Sequence, residues 1–238
     1  MVNIVSPKIE LIASTQLANT QAGWTVIEEF MNLDPSATDA ENLTEYAGRG
    51  CYESWTKPNP NTAHNSDYIR RTAFDMQHGS ILEHASVTLR FSGVSRAWLM
   101  EMERHRHLSW SVVSQRYVGG DTFGVVMPPT LRDGDDAAGK GIWENEVDAS
   151  FEAYDGWCAD LALQGFPRKQ AREAARSVLP NCTEVRGVVT GNLRAWANII
   201  PLRASEGADA EMQEVTRLIL EAVTPVAPAI FNEVAKNI

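Results

Sequence analysis

The spacing of hydrophobic and polar residues along the chain predicts both strands and helices. Alternation of apolar and polar residues is typical of β-strands, whereas apolar residues three and four positions apart indicate the buried stripe of a helix. We expect strands at Ile9–Ala13, Ser86–Phe91 and Val185–Thr190. We expect helices at Thr15–Met31, Asp39–Gly48, Ser66–Gln77, Ser95–Glu103, Trp143–Gln164, Pro167–Arg176, Leu193–Ile200 and Ala210–Ala222.

Polar caps and prolines set the expected ends of the later helices. Asn192 is a predicted N-cap, because its side chain can accept a hydrogen bond from the first turn. Pro201 lacks a backbone N–H, so we expect it to end or kink its helix and to place Arg203 just beyond the break. Pro225 and Pro228 are expected to close the last helix.

The helix Trp143–Gln164 carries an apolar stripe that we interpret as part of the core. The stripe consists of Trp143, Val147, Phe151, Tyr154, Cys158 and Leu161. Loop-forming residues concentrate in Thr56–Asn65 and Gly119–Gly141, and neither stretch resembles a domain linker. We therefore expect residues 1–238 to form one domain, which is long enough for a substantial core.

Composition indicates a globular protein outside the secretory pathway. Hydrophobic residues make up 44% of the chain and charged residues 22%, which is ordinary for globular domains. No apolar run approaches the roughly 20 residues that cross a bilayer, and the N-terminal sequence lacks the pattern of a secretory signal. Cys51, Cys158 and Cys182 are widely spaced and form no CxxC, as expected for reduced thiols in the cytoplasm.

Charge is distributed unevenly along the chain. The net charge is −10, yet Ser95–Tyr117 holds four arginines against two glutamates, and Arg168–Arg203 holds seven basic residues against two acidic ones. Two positive segments in an acidic chain favour local sites for anionic small molecules, whereas a nucleic-acid-binding protein would show a broad positive surface.

The stretch Arg104–Tyr117, with the sequence RHRHLSWSVVSQRY, concentrates donors for an anionic ligand. Its arginines offer planar pairs of N–H groups and its serines add hydroxyls, the donors that a phosphate or carboxylate needs. The alternative is a solvated face on which Glu101 and Glu103 pair with these cations, at about 0.2–0.5 kcal/mol per pair.

A signature and four other segments of the chain resemble the flavin-dependent thymidylate synthase family. Arg104-His105-Arg106, seven residues and Ser114 match its signature RHR-x7-S, and QRY follows. The segment HGSILEH begins at His78, ahead of the signature. Ala175-Arg176-x-x-Leu179-Pro180, Asn192-x-Arg194 with Asn198, and Leu202-Arg203 resemble the C-terminal half of the family.

The resemblance implies a mixed α+β fold with a central, mostly antiparallel sheet flanked by helices, and a homotetramer with active sites between subunits. It implies reductive methylation of dUMP to dTMP, with 5,10-methylenetetrahydrofolate as carbon donor and FAD reduced by NADPH. From the charge distribution, the apolar runs and the histidine spacing, we expect no metal, nucleic-acid or membrane partner.

Carried over residue by residue, the resemblance also assigns the sites. The implied dUMP-binding residues are Glu101, Met102, Glu103, Arg104, Val112, Val113, Ser114, Gln115, Arg116, Arg176 and Arg203. The implied FAD-binding residues are Ser80, Arg104, His105, Arg106, Val112, Asn192, Leu193, Arg194 and Asn198. Arg203 is the implied catalytic residue, set against the uracil ring. No GxGxxG or GxxxxGK[ST] motif occurs, so the flavin assignment rests on the resemblance.

Two positions depart from the family pattern. Val112 stands where the family often has Glu or Gln, so a polar side-chain contact is lost and only its backbone can line the pocket. Glu101 stands where some relatives have Gln.

Other functions have less support in the sequence. Cys182 as a nucleophile, and Ser114 with His105 or His107 in acyl transfer, lack a supporting motif. His105 and His107, two positions apart on a helix, would diverge too much to bind one metal ion. A nucleotide-binding protein without catalytic activity is the alternative from another class, and a yellow protein bleached by NADPH would exclude it.

Overall fold

The computed structural model describes residues 2–18, 34–57 and 59–238. Its sheet has four antiparallel strands in the order β1-β2-β4-β3. The strands are β1 (Lys8–Ser14), β2 (Ser86–Ser95), β3 (Leu108–Val112) and β4 (Glu184–Asn192). The antiparallel sheet and the mixed α+β class were both predicted. The predicted helix Thr15–Met31 lies outside the described residues from position 19 onward, and residues 15–18 are not helical.

Within the described ranges the sheet is accompanied by nine α-helices. They are α1 (Asp39–Gly50), α2 (Asn65–Ile69), α3 (Arg96–Met102), α4 (Pro129–Arg132), α5 (Ala137–Leu163), α6 (Arg168–Ala175), α7 (Leu193–Ala204), α8 (Ala210–Val223) and α9 (Pro228–Ala235). A π-helical segment, Arg70–Asp75, continues α2, so the predicted helix Ser66–Gln77 changes its hydrogen-bonding pattern part-way. No helix in the described part of the chain is both long and apolar enough to cross a membrane.

The core lies between the sheet and the helices that cover it. Val87, Leu89 and Phe91 of β2 are fully buried, and the residues between them are more exposed, as the period of two in a strand requires. Trp196 and Ile200 of α7 pack into the same cluster. Burial of these large apolar side chains is the main favourable contribution to folding.

The structure corrects the predicted break at Pro201. Helix α7 continues through Pro201 to Ala204, and Arg203 lies in its last turn rather than beyond it. Proline costs the helix one hydrogen bond. That cost is offset because Leu193, Trp196 and Ile200 on the same helix are fully buried. Tertiary packing overrides local propensity here.

Strand β3 and helix α9 were not predicted, although β3 had a visible signal. Leu108, Trp110 and Val112 alternate with serines, which is the pattern of a half-buried strand, and they form β3. Helix α9 begins at Pro228, which suits the first turn of a helix, so this proline starts a helix as well as following one.

The interpretation of α5 as a core helix is only partly right. Val147 and Tyr154 are buried, but the other residues of the predicted stripe are only half-buried, and none of the stripe joins the main core cluster. The helix also exposes large apolar side chains elsewhere, with Trp157 at 52% and Leu163 at 88%. The predicted loop Gly119–Gly141 contains α4 and the first turn of α5.

Candidate active site

The residues Arg104 to His107 lie on a turn that joins α3 to β3. Ser95 caps α3 by accepting a hydrogen bond from the backbone N–H of Trp98 at 3.0 Å. Buried Trp98 and Met102 hold the helix against the sheet, and the helix ends at Met102. The prediction that His105 and His107 lie on a helix is therefore wrong.

Helix α7 forms the opposite wall of the site. Asn192 is its N-cap, as predicted, and accepts a hydrogen bond from the backbone N–H of Ala195 at 2.8 Å. Leu193, Trp196 and Ile200 are buried on the core side, which leaves Arg194 and Asn198 exposed.

Two adjoining clefts follow the exposed side of α7, and we call them the α7 clefts. The first has a volume of about 280 Å³ and is lined by Glu83, His107, Asn192, Arg194, Ala195 and Asn198. The second has a volume of about 230 Å³ and is lined by Arg104, His105, Arg106, His107, Ala195, Asn198, Ile199 and Leu202. The clefts share His107, Ala195 and Asn198, so the structure brings six of the predicted cofactor-binding residues together.

Arg203 follows Leu202 of the second cleft and is held by three hydrogen bonds. Its Nε donates to Nε2 of His105 at 2.8 Å. Its two terminal nitrogens donate to the carboxylate of Glu101 at 3.1 Å and to the main-chain carbonyl of Glu101 at 2.9 Å. Glu101 also accepts from Arg104 at 3.3 Å. We call Glu101, Arg104, His105 and Arg203 the Arg203 cluster.

Burial and the neighbouring arginines favour the neutral form of His105. Burial lowers the pKa of His105 below its usual value, and the positive charges of Arg203 and Arg104 lower it further. Because a guanidinium always donates, Nε2 of His105 must accept, and the ring proton is therefore on Nδ1. This tautomer follows from the hydrogen-bond geometry.

An ion pair fixes Arg194 at the mouth of the first cleft. Its guanidinium pairs with Glu83, which ends the 3₁₀ segment Gly79–Glu83. A Cβ at Gly79 would lie 3.3 Å from Nε of Arg194, so the absence of a side chain there leaves room for the arginine. Ser80 lies in the same segment and is exposed.

A second set of predicted site residues lies beyond the other end of β3, and we call Ser114, Gln115, Arg116 and Arg176 the Arg116 group. Arg116 pairs with Glu173 of α6 at 3.3 Å, and Arg176 follows one turn later. Gln115 is buried, and its Nε2 has no hydrogen-bond partner among the described residues. The four residue steps of β3 separate the two sets by about 13 Å along the strand.

Four predicted residues can reach a ligand only in limited ways. The side chains of Met102 and Leu193 are fully buried in the core, which leaves only their backbone for binding. The side chain of Val112 packs against the core as well. The backbone N–H of Val113 is already bonded to the carbonyl of Arg186 at 2.9 Å.

Sequence comparisons show to which family the chain belongs. The family model described as Thymidylate synthase complementing protein matches residues 34–229. A flavin-dependent thymidylate synthase from Mycobacteroides abscessus is 42% identical over 244 residues, covering 98% of this chain and 92% of the relative. One from Mycobacterium sp. strain KMS is 48% identical over 213 residues, covering 84% and 83%. The chain belongs to the flavin-dependent thymidylate synthase family.

Solved structures support the fold of a flavin-dependent thymidylate synthase. Thymidylate synthase X from Helicobacter pylori, crystallised with FAD and dUMP, aligns with a TM-score of 0.64 at 19% identity, covering 97% of this chain and 99% of that one. The UMP/dUMP methylase PolB from Streptomyces cacaoi, bound with 5-Br dUMP, aligns with a TM-score of 0.71 at 20% identity, covering 99% and 97%.

Sequence reasoning missed several residues that line the α7 clefts. They are Glu83, His107, Ala195, Ile199 and Leu202. Glu83 and His107 stood inside the motifs that identified the family and were assigned no role. Ala195, Ile199 and Leu202 are separated by four and three positions, so their common face follows from helical spacing once α7 is known to pass Pro201.

Proposed function

We propose that this chain catalyses the reductive methylation of dUMP to dTMP in de novo thymidylate biosynthesis. In the proposal 5,10-methylenetetrahydrofolate donates the carbon, and FAD is reduced by NADPH. The proposal rests on the two adjoining α7 clefts and the Arg203 cluster beside them. The clefts offer a surface for the cofactor, and the cluster is a cationic site next to it. Family membership supports the same reaction.

The chemistry of the α7 clefts fits FAD. Arg104, Arg106 and Arg194 offer charge-assisted hydrogen bonds to a pyrophosphate. Asn192 and Asn198 supply amides for a flavin or adenine edge, and Ile199 and Leu202 form an apolar wall for a flat ring. When bound, reduced flavin would supply the hydride. These residues would orient its ring system, and the apolar wall of Ile199 and Leu202 would exclude water.

The Arg203 cluster fits the uracil of dUMP. A guanidinium has five N–H donors, and three of those of Arg203 bond Glu101 and His105. The other two donors of the guanidinium remain available to a ligand. They can stabilise negative charge that develops at N3 and O2 or O4 of the ring, and so activate it toward carbon and hydride transfer.

The Arg116 group fits the 5′-phosphate of dUMP, a dianion with strong acceptors. We propose that this group and the Arg203 cluster are brought into one site by a homotetramer, because β3 separates them within the chain. The exposed apolar side chains of α5, including Trp157 and Leu163, provide a surface that a subunit contact would bury. Within each subunit we propose a single domain.

Flavin spectroscopy and product formation test this proposal. The purified protein should be yellow, its visible flavin absorption should bleach with NADPH, and dTMP should form when dUMP and 5,10-methylenetetrahydrofolate are added. A colourless protein that binds dUMP but makes no dTMP when FAD is supplied would overturn the proposal in favour of a nucleotide-binding protein.

A further inference from the structure

One hydrogen bond joins the two proposed ligand sites within a single chain. His105 lines the second α7 cleft, where we propose FAD, and Arg203 lies where we propose dUMP. The bond between Nε of Arg203 and Nε2 of His105 is 2.8 Å long and connects residues 98 positions apart in the sequence.

We propose that His105 is a positioning residue for Arg203, and that their hydrogen bond couples flavin binding to nucleotide binding. The proposal rests on the proposed function and adds the regulation of that same site. Each ligand should tighten the binding of the other, because a coupling free energy between two sites is reciprocal.

The sign of the coupling follows from the order that each ligand imposes. A ligand packed in the second cleft restricts the ring of His105 and keeps its Nε2 directed at Arg203. The guanidinium then loses less conformational freedom when dUMP binds, since part of that entropy has already been lost. Glu101 holds the two terminal nitrogens of the guanidinium. The movement that His105 restricts is therefore rotation of the Nε side of the group.

The coupling depends on the protonation of His105. The charged groups that face its ring are Arg203 from α7, Glu101 from α3 and Arg104 from the turn. An imidazolium has no acceptor, so protonation removes the bond and adds repulsion between two cations. Because the pKa of His105 is lowered, the bond is intact at neutral pH and is lost as the pH falls through that lowered pKa.

Flavin release from the holoenzyme tests the proposal. The dissociation constant of FAD is measured from the recovery of flavin fluorescence on dilution, with and without saturating dUMP. In the unsubstituted enzyme dUMP should lower this constant about 5-fold or more, the lower end of typical coupling. His105→Gln, which keeps an acceptor near the position of Nε2, should retain the effect. His105→Leu should reduce the ratio of the two constants to one.

The pH dependence separates positioning from a general structural role. As the pH falls from neutral through the lowered pKa of His105, the ratio should fall for the unsubstituted enzyme and stay constant for His105→Gln, which cannot titrate. Should His105→Leu release all flavin, Arg203→Lys, which keeps His105 and the positive charge but removes Nε, serves as the uncoupled variant.

Failure of the coupling and failure of the proposed function give different results. An unsubstituted enzyme that binds FAD and makes dTMP but shows a ratio of one disproves the coupling and leaves the proposed function intact. A ratio that persists unchanged in His105→Leu, or in Arg203→Lys where that variant is used, also disproves it. Absence of any FAD binding and dTMP formation disproves both.

Discussion

Glu101 binds Arg203 twice, through its carboxylate at 3.1 Å and through its main-chain carbonyl at 2.9 Å. The two residues come from different helices and lie about a hundred positions apart. A guanidinium held by two hydrogen bonds in this way has little conformational freedom. A residue that stabilises a transition state needs such a defined position.

Arg203→Ala should therefore reduce turnover rather than only substrate affinity. Loss of a donor that acts in the transition state should lower kcat at saturating dUMP by about 10²-fold or more, with FAD retained and NADPH still able to reduce it. Steady-state kinetics of dTMP formation measure this, and Arg217→Ala on the exposed side of α8 is the matched control. A raised KM with near-normal kcat would instead make Arg203 a binding residue only.

The Arg116 group should bind the phosphate of dUMP. Arg116→Ala and Arg176→Ala should each weaken dUMP binding by about tenfold or more, since a charge-assisted hydrogen bond contributes about 1.5–3 kcal/mol. The effect should be largest at low salt. Glu173→Gln, which frees Arg116 from its 3.3 Å ion pair, should tighten binding. Titration calorimetry at two salt concentrations measures both, and unchanged affinity in both arginine variants would exclude them from the site.

Asn198→Ala should lower the amount of FAD that copurifies with the enzyme. Asn198 lines both α7 clefts and is exposed, so alanine should leave the helix intact. Asn192→Ala is a poorer test, because it also removes the cap of α7 at a cost of about 1 kcal/mol. Flavin absorbance per chain is the measurement, with Asn232→Ala on α9 as control. A full complement of flavin in Asn198→Ala would contradict the assignment.

Cys182→Ser, and a variant that lacks all three cysteines, should keep methylation activity when folded. Burial raises the pKa of the Cys182 thiol to about 11, so the thiolate required of a nucleophile is scarce at neutral pH. Activity is measured as dTMP formed per folded chain, with folding checked by circular dichroism. Complete loss of activity in folded Cys182→Ser would restore the nucleophile hypothesis.

Arg49→Met should destabilise the fold by about 3–5 kcal/mol, the cost of breaking a buried ion pair from one side. Arg49 is buried beside Glu45, with 2.5 Å between Nε and the carboxylate, and also donates to the carbonyl of Thr62 at 2.7 Å. Lys236→Met, which breaks an exposed pair with Glu233, should change stability by less than about 1 kcal/mol. Denaturant unfolding measures both, and equal effects would show that the Arg49 pair contributes no more than a surface pair.

The sequence by itself determined the family, the kinds of residue at the site and most of the regular structure. Periodicity located β2, β4 and α8 because each has one buried face. Burial of one face makes apolar residues recur at regular positions along the element. The Asn192 cap was readable because capping is a contact between near neighbours. The charge of the two positive segments was readable from composition alone.

Only the tertiary structure decided which of these residues meet. The contact of Arg203 with His105 joins two distant segments, and no local pattern encodes a distance between them. The path of α7 past Pro201 was likewise decided by packing, since burial of Trp196 and its neighbours outweighs one lost hydrogen bond. The half-exposed face of α5 shows the same limit, because a stripe of apolar residues predicts a face that packs but not what packs against it.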